Sequence, residues 1–252
     1  MSTHSRFSLL CAAAALGLAA CSDTATTPSL ISDAQVSADI AASSGDAIAG
    51  DIAGLITNEA FAGMPSAPVG PLPSPMVNET RSRTCFDAQD VQQATCDAQT
   101  TAKVVLHWTL DGNRAGDHFT AAIHRVRDLT ISGLLGTETS RTHDGVGTSN
   151  DTTTFTGAEI TRTAAESSID SVRAIVFNLP HATNPWPVSG SIVRRVTAHI
   201  TVTSPTRNET RDVNRRVEVT FPADAQGNVT INVNGKTCTL NLVTRAVVNC
   251  SL

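Results

Sequence analysis

His143 and Asp144 are adjacent and supply the imidazole and carboxylate of a hydrolytic dyad. They fall in a polar, glycine-containing stretch, 137–154, read here as a turn or mobile loop, the kind of segment that carries function. No nucleophile is marked to go with them. There is no Gly-x-Ser-x-Gly elbow, and neither Lys103 nor Lys236 has a serine three residues before it. His118 and His124 have the same strand parity, but six residues of extended chain hold them roughly 20 Å apart, too far to chelate one ion. Asp111, Asn113 and Gly116 follow the opening of a calcium loop. Ala115 then stands where an oxygen ligand is needed, and Ala122 where the bidentate glutamate should be. A hairpin turn over 111–116 accounts for the same residues. No phosphate loop or dinucleotide fingerprint occurs. The expectation is a chain with no catalytic residues, no metal and no cofactor.

Three side chains suit binding better. Arg194 and Arg215 lie on otherwise apolar faces of adjacent strands. They either hold an anion or a lipid headgroup, or snorkel at the sheet rim. Trp186, one of two tryptophans, sits in the stiff segment Pro180–Pro187. It either faces a partner or plugs the open edge of the core. The formal net charge is −5, and between Asp23 and Glu59 there are acidic residues but no lysine or arginine. No basic run is long enough to suggest nucleic acid.

The start of the chain supplies an address. One charge, Arg6, precedes an apolar run from Leu9 to Leu18, well short of the ~20 residues of a membrane span. Leu18-Ala19-Ala20-Cys21 resembles the lipobox of bacterial lipoprotein precursors. That resemblance implies a signal peptide over 1–20 and a lipid on Cys21. It also implies an outer-membrane anchor, because Ser22 rather than an aspartate follows the cysteine. Cys11 leaves with the leader. Cys85, Cys96, Cys238 and Cys250 remain, an even number in an oxidising compartment, and their spacing suggests the local pairs 85–96 and 238–250.

A tether over 21–31 leads to an amphipathic helical segment over 32–62. Ser32 and Gln35 have capping-box spacing, and Ile31 and Val36 have hydrophobic-staple spacing. Val36, Ile40, Ile48, Ile52 and Ile56 recur at multiples of four, with Asp33, Asp39, Asp46 and Asp51 on other faces, as one helix or as two broken near Gly45. Residues 63–80 form a proline-rich linker. An antiparallel β domain follows over 81–252, rich in threonine and valine and poor in aromatics.

Several registers follow from alternation. Trp108 is set opposite Phe119. Ile200 is set opposite Val213, which places Arg195 opposite Glu218. Asn234-Gly235 is a strong hairpin signal that pairs Val233 with Lys236 and Ile231 with Cys238. A turn at 243–245 then pairs Leu240 with Val248 and sets Cys238 opposite Cys250.

Three stretches, 131–145, Trp186–Gly190 and Val229–Leu242, resemble uncharacterised threonine-rich β lipoproteins of environmental bacteria, a group with no activity to carry over. The expected fold is mainly β (α+β): a curved antiparallel β-sheet or sandwich with an N-terminal amphipathic helix on one face. The leading functional expectation is a non-enzymatic, lipid-anchored envelope protein, structural or partner-binding. The alternative is a carrier of lipid or another hydrophobic ligand in a sheet-plus-helix cavity. The third is a hydrolase using His143 and Asp144.

Overall fold

The computed structural model describes residues 29–58, 76–116 and 119–251. The leader, Cys21, the first part of the tether, residues 59–75 and His118 lie outside the described residues.

One helix, α1 (Asp33–Asn58), precedes a single antiparallel sheet. Its strands are β1 (Met76–Phe86), β2 (Gln92–Gln93), β3 (Lys103–Gly116), β4 (Phe119–Ser132), β5 (Ser140–Thr156), β6 (Thr161–Asn178), β7 (Ser189–Thr203), β8 (Asn208–Thr220), β9 (Asn228–Val233), β10 (Lys236–Asn241) and β11 (Val247–Val248). From β3 to β11 each strand pairs with the next in sequence. β1 flanks β3, and β2 forms the far edge. The sheet is open, since β2 and β11 are not hydrogen-bonded to each other. The strand region thus begins at Met76, inside the segment expected to be linker.

The helix starts where its sequence says. Ser32 Oγ accepts the Gln35 amide at 3.0 Å, and Ile31 and Val36 are both buried. Val36, Ile40, Ile48, Ile52 and Ile56 are each at most 2% exposed. Gly45 does not break the helix. A Cβ there would lie 2.6 Å from Val247 and 3.1 Å from Leu240, so the missing side chain lets α1 approach β10 and β11. Gly54 does the same for β3, because a Cβ would fall 1.8 Å from the Trp108 indole. From Val36 to Ile56 no residue of the helix is fully exposed. The sheet therefore curls around α1 instead of merely supporting one stripe of it, and the inner face of β7 to β10 joins it in one core.

Several expected registers are corrected. Trp108 faces Arg127, not Phe119, because β3 runs on to Gly116, which pairs with Phe119, and the expected turn over 111–116 is strand. Ile200 faces Arg211, not Val213, which puts Arg195 opposite Arg216 and leaves Glu218 opposite Val193. Both shifts are even, so each residue keeps its face. The expected loop over 137–154 is mostly β5. Its inner face carries Arg141, His143, Gly147, Ser149, Asp151 and Thr153, which give no apolar alternation.

Both disulfides form as expected. The β9–β10 hairpin has the expected register, Val233 with Lys236 and Ile231 with Cys238. Beyond the next turn the register differs by one: Leu240 faces Val247. Asn249, at φ 54°, absorbs the extra residue, so Ser251 bonds Thr237 and Cys250 again meets Cys238. The two disulfides place the domain in an oxidising, extracytoplasmic compartment. No described helix is long and apolar enough to cross a membrane.

Candidate functional site

The acidic residues of α1 do not face water as an anionic stripe. Each meets arginine from the inner face of the sheet. Asp33 receives Arg211 and Arg215 at 2.6 and 2.5 Å. Asp39 receives Arg162 through Nε at 2.6 Å and Nη2 at 3.1 Å. Asp46 pairs with Arg114, with Arg245 at 3.1 Å and with Arg125 at 3.5 Å. Asp51 takes a two-pronged contact from Arg127, at 3.0 and 3.1 Å. This is the geometry in which arginine–carboxylate pairs are strongest.

Under the helix the charges continue inward. Arg127 is fully buried and its Nη2 also reaches Asp170 at 2.9 Å, while its Nη1 donates to the carbonyls of Val126 and Thr148. Asp170, equally buried, accepts from Ser149 and Ser168 and pairs with Arg194 at 3.2 Å. Asp51, Arg127, Asp170 and Arg194 therefore form a neutral chain of alternating charge. Burial holds the Arg194 guanidinium below its usual range, with Asp170 acting against that. Gly147 makes room for this chain, since a Cβ there would sit 2.6 Å from the Arg127 side chain. Beside it lies Glu166, which accepts from Ser43 at 3.0 and 2.8 Å. Burial pushes its carboxyl up to about 7, partly offset by the Ser43 hydrogen bond.

The sequence-derived candidates that fall among the described residues are committed within the fold. Arg194 is 2% exposed and belongs to the ion chain. Arg215 lies mid-way along β8, an inner strand of the sheet, against Asp33 and Ser37 of α1. Trp186 is half-buried against the core, with its ring over Gly227. His143 is buried edge-on to Phe177, with Nδ1 3.4 Å from the Ile175 carbonyl. Asp144, next along the strand, points to the exposed face. It accepts the Ala174 amide at 2.8 Å, at a β6 bulge where Ala174 has φ 45°. The two side chains thus lie on opposite faces of β5. Asp111 pairs with His124 across the strands at 2.5 Å on the outer face. Among the described residues, no group of three or more His, Cys, Asp and Glu side chains is placed to hold a metal ion.

Sequence reasoning overlooked Arg114, Arg125, Arg127, Arg162 and Arg211. The signal was present in β4, where Ile123, Arg125, Arg127, Leu129 and Ile131 share one parity and all turn inward.

Asp46 marks the seam of the curled sheet. Arg114 comes from β3, near one edge, and Arg245 from the β10–β11 turn at the other. Between these edges lies a recess of about 310 Å³, lined by α1, β3–β5 and the 244–247 turn. Its polar side is Asp46, Arg114, Arg125 and Arg245; its apolar side is Phe119, Phe155 and Val247. The Phe119 and Phe155 rings are 6.2 Å apart, and Arg162 lies over Phe155 at 5.6 Å. Burial pulls the Arg114 guanidinium down to about 10, with repulsion from Arg245 and then Arg125 adding to it. Arg245 is lowered by burial and by Arg125. No known family model, no curated protein and no solved structure matches this chain.

Proposed function

We propose that this chain is a non-enzymatic, lipid-anchored protein of the cell envelope, held at the outer membrane through Cys21, whose rigid domain binds a partner protein. The observation that carries the reading is the ion pairing of α1. Four aspartates spread along the helix from Asp33 to Asp51 each engage arginine, and the apolar residues between them fill the space beneath the helix. A helix held in this way is a plug and not a lid, which disfavours the carrier. The opposed directions of His143 and Asp144 disfavour the hydrolase.

From Cys21 to Ser29 the chain reaches at most about 28 Å, so an anchored domain stays close to the bilayer. Its outer face is polar, with the cross-strand pairs His107–Asp128, His124–Asp111 and His199–Asp212. Val146 and Ile169, 57% and 62% exposed, are diagonal neighbours on that face and form the apolar spot a partner would cover. Two measurements test the proposal. Labelled palmitate should enter the wild-type chain and not Cys21→Ala; equal labelling, or none in either, contradicts the anchor. A photo-crosslinker at position 169 should yield one discrete adduct in cells. A crosslinker at Thr230, on the outer face of β9, should not. Indistinguishable patterns refute the partner surface.

A further inference from the structure

The recess at the sheet seam is the place where charge and space are both left over. Arg125 is neutralised by Asp151, which it meets through Nε at 3.0 Å and Nη2 at 2.8 Å. Among the described residues, Asp46 is then the one carboxylate shared by Arg114 and Arg245. Two guanidiniums on one carboxylate leave a positive charge in a site that is mostly screened from water: the side chains of Arg114 and Arg245 are 15% and 10% exposed. Arg245 Nε is buried with no hydrogen-bond partner among the described residues, a cost of the kind that a bound acceptor removes. Glu166 stands behind Ser43, and Asp39 is taken up by Arg162. Opposite the cations, two phenyl rings and Val247 offer an apolar wall.

We propose that this recess binds a small amphiphile with one anionic head and a short apolar body. Arg245 and Arg114 take the head and Phe119, Phe155 and Val247 take the body. The volume lies at the small end of the ~300–1,000 Å³ range of ligand pockets. It suits a medium-chain carboxylate or a single-ring acid, and excludes a two-chain phospholipid. The site is at the surface seam, outside the plugged interior. It goes beyond the anchored, partner-binding role and stands whether or not Cys21 is acylated.

The test uses the full chain carrying Cys21→Ala, titrated by calorimetry with octanoate, acetate, octanol and octyltrimethylammonium, each to about 10 mM, a range that reaches millimolar affinities. Octanoate should bind at one site. Acetate should bind at least tenfold more weakly, and octanol and the ammonium should give no saturable heat. Arg245→Ala should weaken octanoate tenfold or more, the effect of losing a charge-assisted hydrogen bond. Should that variant lose its fold by circular dichroism, Ala121→Leu decides. It narrows the recess from the β4 side without touching a charge, and should abolish octanoate binding at an unchanged spectrum. The proposal is overturned by absence of octanoate binding, by octanol or the ammonium binding as tightly, by acetate matching octanoate, or by full binding in a folded Ala121→Leu.

Discussion

Replacing Asp170 by asparagine tests the buried ion chain at its centre. The side chain is 0% exposed, and its Oδ2 serves both Arg127 at 2.9 Å and Arg194 at 3.2 Å. Asparagine keeps the shape but offers one acceptor and an N–H₂ group. Whichever way it turns, it cannot neutralise two guanidiniums that are 0% and 2% exposed. Breaking a buried pair from one side costs about 3–5 kcal/mol, because the partner charge remains in a poor solvent. For a domain of this size 1 kcal/mol corresponds to about 2–4 °C, so the melting temperature should fall by roughly 6–20 °C. The comparison is Asp33→Ala, at the exposed N-terminal end of α1, where the carboxylate is 55% exposed. An exposed pair contributes about 0–1 kcal/mol, so this change should move the melting temperature by no more than about 4 °C. Differential scanning calorimetry on the two variants at one pH and salt decides it. Equal shifts for Asp170→Asn and Asp33→Ala would show that the inner chain does not hold the fold, and the reasoning about α1 would fail with it.

Three further outcomes follow from the geometry. Glu166 binds its proton up to about pH 7 when folded, whereas an exposed glutamate releases it near 4.3. The folded state therefore holds the extra proton between these values. Stability should fall by about 3 kcal/mol as pH rises from about 4.5 to 7, then level off. Glu166→Gln should flatten that slope and exceed the parent in stability at pH 8, as read by urea midpoints across pH. Gly54→Ala drives a methyl into the Trp108 indole, and should cost at least about 1–3 kcal/mol and change the near-ultraviolet dichroism of that ring. Replacing Cys238 and Cys250 together by alanine opens a short loop and should cost about 2–3 kcal/mol, seen as a lower guanidinium midpoint.

The helix and the β9–β10 hairpin were legible in sequence because each rests on local signals: a cap with a four-residue apolar repeat, and an Asn-Gly turn between alternating strands. β5 was not legible. Its inner side chains are chosen to complement Arg125, Arg127 and Asp170, which come from other strands, so no period-two apolar pattern remains to be read. The β7–β8 register was misjudged because the Arg195–Glu218 pairing matched charges locally, while the even shift that occurs preserves the same buried faces. Arg194 and Arg215 stood out as charges among apolar neighbours, but their counterions lie on β6 and α1, far away in sequence. The aspartates of α1 looked solvated for the same reason. The charge asymmetry between the acidic 23–59 segment and the arginine-bearing strands was visible, and the interface between them is where it is resolved.

Whether α1 is a plug or a lid separates a rigid anchored domain from a carrier, and native-state hydrogen exchange measures it directly. In the plug account, the amides of residues 40–56 exchange only with global unfolding, with the same opening free energy as the central strands β6 and β7. Exchange of those helix amides through a lower-energy opening, while β6 and β7 stay protected, would contradict it.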